Sequence, residues 1–260
     1  MRIAQIVLPD ASAYERKCQR ADRAALAEPH QVVEDVGNAD LAHVYAGVEL
    51  PRAAFVGFPV PYVASAPMAK SRWSWRNPVE PRIVVTPENL PEVVEEAYFA
   101  HDWKAAALPP HSKTCGSFAR EATRNHVEQT LHRIQRFRDD VGWKIFPSPP
   151  TPEDLASVDV WVDPAVQEND FDGFVAEALV IGLPVVAART QINSMRLEKG
   201  RTGTLVPPRD PNEMTHAILS VLFKPEVALA KVAASRQTIS KFRARQRMRV
   251  LIQLYESLIP

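Results

Sequence analysis

The stretch of residues 165–189, AVQENDFDGFVAEALVIGLPVVAAR, constrains the fold of this chain more than any other. It predicts an acidic loop, then a short helix that ends at Gly182, then an apolar strand. Gly173 allows a tight turn before the helix, and the first amides of a helix lack internal partners, which suits a phosphate group. Glu177 lies one turn inside the helix, where its carboxylate could reach a ribose hydroxyl. An Asp-Gly turn before an ordinary core helix looks similar, so this stretch alone leaves both interpretations open.

Strands and helices alternate along the chain, which predicts an α/β protein with parallel sheets. An apolar strand at residues 2–8 is followed by a charged helix at residues 12–26. The junction between them, residues 9–12, contains no glycine, so the fingerprint of NAD- and FAD-binding domains is absent there. Further helices are predicted at residues 90–100 and from about residue 120 to residue 141, where apolar side chains recur every three or four positions.

A proline-containing stretch at residues 103–113 reads as a linker between two domains. We therefore predict an N-terminal domain of residues 1–105 and a second domain of residues 106–240. The remaining residues, 241–260, form a predicted C-terminal helix that could pack back on the N-terminal domain.

The charge balance gives no reason to expect a highly charged partner. Thirty-one basic and 31 acidic residues cancel, so the composition does not favour nucleic-acid binding. The basic residues of the C-terminal helix fit a solvated helix face better than a contact with an anionic surface.

Cysteine use and hydropathy favour a cytoplasmic protein. Cys18 and Cys115 form no metal-binding or disulfide pattern, which fits a reducing compartment. The N-terminal residues pass from a short apolar run to a charged one, unlike a signal peptide, and we expect no integral membrane segment.

Four motifs stand between residues 159 and 211 in an order and spacing typical of one enzyme family. They are Asp159-Val160-Trp161-Val162-Asp163-Pro164, Gly173-Phe174-Val175-Ala176-Glu177-Ala178, Gly182-Leu183-Pro184-Val185-Val186-Ala187 and Gly203-Thr204-Leu205-Val206-Pro207-Pro208-Arg209-Asp210-Pro211. Together they resemble the C-terminal half of the group 1, family 4 glycosyltransferases. The resemblance implies the GT-B fold, an α/β architecture of two Rossmann-like domains facing a cleft. Here the N-terminal domain would be reduced, because it is short for the family.

The resemblance also implies a donor site. In the family, two glutamates separated by seven residues contact a nucleotide sugar, and Glu177 matches the second, which holds the ribose. The first position is Asn169, which can bond sugar hydroxyls but carries no charge; the preceding Glu168 could supply one. Family members neutralise the diphosphate with an arginine and a lysine, for which Arg120 and Arg124 are the candidates. A solvent-facing helix edge is the alternative for these two arginines.

The other substrate contacts that the resemblance implies lie at two strand ends and at the loop-to-helix junction. A histidine that the family places near the reacting sugar is missing, and we choose a histidine at a strand end to replace it, although such a residue is often structural. The predicted contacts are Gly116, Ser117, Phe146, Asp172, Gly173, Phe174 and His43.

The implied activity is that of a retaining glycosyltransferase, which moves a sugar from a UDP-, GDP- or ADP-sugar to an unknown carbohydrate or small-molecule acceptor. We expect no cofactor and no metal, because arginines and helix amides would offset the charge on the departing phosphate. Asp170 and Asp172 form an Asp-x-Asp pattern that could hold a cation, but two aspartates also favour a helix start. A nucleotide-sugar-binding protein without catalysis and a GT-B-fold sugar epimerase remain alternatives, since the first glutamate is missing.

Overall fold

A computed structural model describes residues 1–8, 13–26, 31–34, 36–45, 62–65, 83–85, 92–101, 113–118, 120–166 and 173–258. The chain divides into two compact units. One is formed by Met1–Val93 with Lys241–Pro260, and the other by Val94–Ser240. In the described residues each unit contains a five-stranded sheet, and all paired strands are parallel.

The strands are β1 (Arg2–Val7), β2 (Gln31–Val33), β3 (Leu41–Tyr45), β4 (Tyr62–Ser65), β5 (Ile83–Val85), β6 (Lys113–Phe118), β7 (Val141–Phe146), β8 (Val160–Asp163), β9 (Val185–Ala188) and β10 (Thr204–Val206). The helices are α1 (Ala13–Leu26), α2 (Glu96–Ala100), α3 (Arg124–Gln135), α4 (Pro152–Ala156), α5 (Val175–Ile181), α6 (Gln191–Arg196), α7 (Pro211–Phe223), α8 (Pro225–Arg236) and α9 (Ala244–Glu256). No helix in the described part of the chain is long and apolar enough to cross a bilayer.

The first unit has the strand order β2-β1-β3-β4-β5. Every residue of β3 is buried, as expected for a central parallel strand that is covered on both faces. Its core joins β1, β3, α1 and α9 through the buried side chains of Ile3, Leu26, Leu41, Leu251 and Tyr255.

The C-terminal helix α9 belongs to this first unit, although it follows the second unit in sequence. Arg247 of α9 donates two hydrogen bonds to Asp22 of α1, from Nε to Oδ1 at 2.7 Å and from Nη2 to Oδ2 at 2.9 Å. The hydroxyl of Tyr45 in β3 donates to the same carboxylate at 2.8 Å. Arg247 is 3% exposed and Asp22 is 2% exposed. A buried ion pair therefore joins α9 to α1 and β3.

The second unit has the strand order β10-β9-β8-β6-β7. All residues of β8 and β9 are buried, so these short strands form the centre of the unit. Gly182 adopts φ 85° and ψ 29° directly after α5, a left-handed conformation that glycine accepts readily. It turns the chain from α5 into β9.

The boundary between the units lies after Val93, earlier in the chain than predicted. Residues 92–95 are not helical, and Glu95 is extended, with φ −64° and ψ 144°. The three consecutive residues Glu92, Val93 and Val94 are all buried, which a helix with one apolar face does not allow. The predicted helix at residues 90–100 is therefore wrong at residues 92–95 and confirmed only in α2. Residues 90 and 91 and residues 103–112 of the predicted linker lie outside the described residues.

The predicted helix at residues 120–141 is also too long. A 3-10 turn, Glu121–Thr123, precedes α3, and Val141 already begins β7. The amides of Phe137 and Arg138 both bond the Ile134 carbonyl, which closes the helix. Asp139 and Asp140 follow, and acidic residues oppose the negative end of a helix dipole.

Candidate functional site

The candidate site lies at the carboxyl ends of the strands in the second unit, where open α/β sheets bind ligands. Asp163 is the last residue of β8 and is 1% exposed. A Cβ atom placed on Gly173 would lie 2.5 Å from the Cγ of Asp163. Only a glycine therefore fits where the turn before α5 passes over this carboxylate.

Two side chains from other elements share the carboxylate of Asp163. Arg120, which follows β6, donates from Nη2 to Oδ1 in a close ion pair. Asn193 of α6 donates from Nδ2 to Oδ2 at 2.7 Å. The arginine side chain is 12% exposed. The buried negative charge is thus paired and hydrogen-bonded, as a charge in a protein interior requires.

Asn193 is itself held in place. Its Nδ2 also donates to the carbonyl of Ala188 at 3.0 Å, and its backbone N–H donates to Oγ1 of Thr190 at 3.1 Å. Thr190 is the N-cap of α6. Asn193 lies in none of the four motifs, so we did not predict it as a site residue from the sequence. The available signal was a threonine followed by a short amphipathic run after β9.

The turn before α5 rests on aromatic side chains. Trp161 donates from Nε1 to the carbonyl of Gly173 at 2.6 Å. Phe174 packs edge-on against Phe118 with the ring centroids 5.0 Å apart. Its φ of 51° lies in the left-handed region, which is unusual for a bulky residue. Strained backbone of this kind clusters at functional sites.

Gly116 and Phe146 lie beside the same tryptophan. A Cβ on Gly116 would lie 3.1 Å from Cε3 of Trp161 and 2.8 Å from Cγ2 of Val158, so this position in β6 needs glycine for packing. Phe146 ends β7 with its ring centroid 5.9 Å from that of Trp161. Phe146 is half-buried and remains at the strand end where we predicted it.

Glu177 lies in the first turn of α5 and is 3% exposed. Helix α5 is buried along its whole length, and α2 packs against it. Tyr98 of α2 donates to the carbonyl of Pro150 at 2.5 Å. Burial raises the pKa of Tyr98 above its usual value, and the negative charge of Glu177 adds to this effect. Glu177 therefore lies close to Tyr98 of α2, which is the part of the predicted helix at residues 90–100 that the structure contains.

The structure separates several predicted site residues from this cluster. Arg124 begins α3 and is exposed, so it does not share a helix turn with Arg120, which has an extended backbone at φ −134° and ψ 134°. Ser117 is buried and accepts a hydrogen bond from Nε1 of Trp143 at 2.8 Å. This bond fixes its side chain in the core, so the predicted substrate contact of Ser117 is corrected to a packing role.

His43 is also corrected to a structural residue. It belongs to the first unit, is fully buried, and shares hydrogen bonds through Nδ1 with the hydroxyls of Tyr255 and Tyr45. Burial lowers its pKa well below the usual value, with a smaller contribution from the charge of Arg247. A neutral imidazole enclosed in this way cannot reach a sugar.

The predicted residues Glu168, Asn169 and Asp172 lie outside the described residues, as does Asp170. Among the residues that are described, no group of three histidine, cysteine, aspartate or glutamate side chains could hold a metal ion. Burial raises the pKa of Cys115 to about 12, so this thiol is no nucleophile at neutral pH.

The whole chain has the fold of known glycosyltransferases. It matches sucrose-phosphate synthase from Thermosynechococcus elongatus with a TM-score of 0.72 and 14% identity, over 99% of both chains. It matches HepE from Anabaena, crystallised with UDP and glucose, with a TM-score of 0.66 and 13% identity, over 99% of this chain and 100% of that one. The protein thus has the GT-B fold, built from Rossmann-like units, as predicted.

The family follows from the sequence. Residues 111–223 match the family described as Glycosyl transferases group 1. Over 137 residues the chain is 28% identical to D-inositol 3-phosphate glycosyltransferase from Corynebacterium jeikeium (strain K411). That match covers 50% of this chain but only 32% of the relative's own length. Residues 111–223 are thus similar to the group 1 glycosyltransferases, as the motifs at residues 159–211 predicted.

Proposed function

We propose that this protein transfers a sugar from a nucleoside diphosphate sugar to a carbohydrate or other small-molecule acceptor, with retention of configuration and without a metal. One observation carries the proposal. Arg120, Asp163 and Glu177 follow or end strands of one sheet, all at its carboxyl edge, and all lie within the residues that match the glycosyltransferase family. The family motifs and the carboxyl edge of the sheet therefore support the same location for the proposed donor site.

The chemistry requires positive groups near the leaving diphosphate. As the bond from the anomeric carbon to the β-phosphate oxygen breaks, its electron pair stays on that oxygen. The acceptor hydroxyl oxygen bonds the anomeric carbon and passes its proton to the departing phosphate. Arg120, held by Asp163, and the backbone amides beside Gly173 would offset the added negative charge. No protein carboxylate is needed as the base.

The donor is a UDP-, GDP- or ADP-sugar in this proposal, and Glu177 would bind its ribose. HepE, which shares the fold, was crystallised with UDP-glucose, so UDP-sugars are the first donors to test. Because Glu177 is buried and α2 packs against its helix, ribose binding would require local rearrangement around Glu177. We also propose a cytoplasmic location, since Cys18 and Cys115 are both free thiols and fit a reducing compartment.

The test is calorimetry with UDP, GDP and ADP in the presence of EDTA, followed by nucleotide release from the matching donor sugars. We expect one nucleotide to bind wild type, and Glu177→Gln to bind it at least about tenfold more weakly, since a buried charge-assisted hydrogen bond contributes about 1.5–3 kcal/mol. Glu153→Gln, an acidic residue of the same unit on α4, is the matched control and should bind normally. Proton NMR of the product should show retention.

Three outcomes would contradict the proposal or part of it. If wild type binds none of the three nucleotides, the donor site is absent. If a nucleotide binds but no donor and acceptor mixture releases it, the protein is a nucleotide-sugar-binding protein without catalysis. Nucleotide binding that requires added Mg²⁺ would refute metal independence. Asp170 and Asp172 would then be the candidate cation ligands.

A further inference from the structure

We infer that Asp163 is a positioning residue: it holds the guanidinium of Arg120 in the orientation that the transfer reaction needs. The inference rests on the proposed function, in which Arg120 faces the leaving diphosphate. Asp163 has no accessible side-chain surface, so it does not touch substrate itself.

The two carboxylate oxygens of Asp163 accept hydrogen bonds from different side chains. Oδ1 accepts from Arg120, and Oδ2 accepts from Asn193 at 2.7 Å. A carboxylate bonded at both oxygens by donors from different directions cannot rotate without losing one bond. The Asn193 amide is fixed in turn, because its second N–H bonds the Ala188 carbonyl at 3.0 Å. The orientation of Arg120 is therefore set from the end of β9, through Asn193 and Asp163.

The backbone around Gly173 provides the third constraint. A Cβ at Gly173 would lie 2.5 Å from both Cγ and Oδ2 of Asp163, so the carboxylate fills the space beneath this turn. Trp161 holds the turn by its hydrogen bond to the Gly173 carbonyl at 2.6 Å. The same carboxylate thus contacts Arg120 and the start of α5, the two groups that the proposed function places around the diphosphate.

The charge of the pair also matters for the reaction. Arg120 and Asp163 together are neutral, so the pair attracts a diphosphate in the ground state less than a lone arginine would. A guanidinium that is already held in one orientation needs less rearrangement as charge develops on the leaving oxygen. Asp163 should therefore contribute mainly to kcat and little to the donor KM.

The experiment is a double-mutant cycle of Asp163→Asn and Arg120→Gln, with donor turnover measured by nucleotide release. Asp163→Asn keeps the shape of the side chain but removes its charge. We expect it to lower kcat by about 10- to 100-fold, the usual effect of misplacing a catalytic group, with donor KM nearly unchanged. The double variant should be no slower than Arg120→Gln alone, because Asp163 acts through Arg120. If the two losses multiply, or if Asp163→Asn turns over like wild type, the inference is wrong.

A surface pair provides the matched control. Asp140 accepts from Arg138 at 2.6 Å on the exposed face of the same unit, and Asp140→Asn should leave turnover unchanged. If Asp163→Asn does not fold, Asn193→Ala replaces it in the cycle with Arg120→Gln. This variant keeps the Asp163 charge and releases only Oδ2, so a smaller loss of kcat, again absent on top of Arg120→Gln, is expected.

A measurement without substrate separates this inference from the proposed function. In wild type the guanidinium of Arg120 should rotate slowly, and its side-chain N–H signals should be resolved by NMR. Asp163→Asn should collapse these signals, whereas Asp140→Asn should not affect them. Signals that are insensitive to Asp163→Asn would overturn the inference even if the protein is a glycosyltransferase. If instead wild type shows no nucleotide binding and no turnover while Arg120 is held by Asp163, the proposed function alone has failed.

Discussion

Replacing Arg247 with methionine should destabilise the first unit severely, although the change lies in the last helix of the chain. Arg247 donates to both oxygens of Asp22 at 2.7 and 2.9 Å, and both side chains are almost fully buried. Methionine fills much of the volume but leaves the Asp22 carboxylate buried with no guanidinium beside it. Breaking a buried ion pair at one partner costs about 3–5 kcal/mol. For a unit of this size that corresponds to roughly 10–20 °C in Tm.

The assay must report each unit separately, because two units need not unfold together. Hydrogen exchange followed by mass spectrometry, at increasing urea, gives the free energy of opening for peptides from β1 and β3 and for peptides from β8 and β9. We expect Arg247→Met to lower the first value by about 3–5 kcal/mol and to leave the second unchanged. Arg249→Met, at an exposed position of the same helix, should change neither by more than about 0.5 kcal/mol.

A second variant tests the physical reason. Asp22→Leu combined with Arg247→Met removes both charges, and such replacements are often neutral because no buried charge remains unpaired. The double variant should therefore recover most of the loss, after allowance for the hydrogen bond that the hydroxyl of Tyr45 no longer makes to Asp22. A loss below about 1 kcal/mol in Arg247→Met would show that α9 is not held by this pair, and the reasoning would fail.

Three further predictions concern stability. Burial lowers the pKa of His43 well below the usual value, whereas in the unfolded chain His43 takes up a proton near pH 6.5. The first unit should therefore lose stability as pH falls below about 6.5, by at most about 1.4 kcal/mol per pH unit. In urea titrations, the stability of His43→Gln should depend less steeply on pH than that of wild type. Gly173→Ala should lower the free energy of unfolding by about 1–3 kcal/mol through its clash with Asp163. Gly142→Ala is the control and should cost much less, because its Cβ would lie 3.8 Å from the nearest neighbouring atom. Equal Tm values for the two variants would contradict the packing described. Asp210→Ala should cost about 1 kcal/mol, because Asp210 caps α7 by accepting from two amides at 3.0 and 3.1 Å; thermal unfolding with no change in Tm would exclude the cap.

Local sequence signals determined several elements of the fold. Helix α7 begins at Pro211, where local signals place it, because Asp210 caps its start and a proline is favoured in the first turn. Gly182 ends α5 where predicted, because it supplies the left-handed conformation that turns the chain into β9. The spacing of these signals also identified the glycosyltransferase domain. Capping and turn residues act on their immediate neighbours, so they can be read without knowledge of the rest of the chain.

Contacts between distant residues decided what the sequence could not. Asp163 and Asn193 are 30 positions apart, and Asp163 and Arg120 are 43 apart; parallel strands bring their ends to one edge only after the crossover helices have packed. His43 also depends on a distant partner. Its position at a strand end suggested a site residue, but Tyr255 of the C-terminal helix bonds its Nδ1 and helps to bury it. The sequence by itself therefore determined the end of α5, the start of α7, the alternation of strands and helices and the similarity of residues 111–223 to one glycosyltransferase family. Tertiary structure decided which charged groups are paired, because pairing depends on burial and on partners that no local pattern encodes.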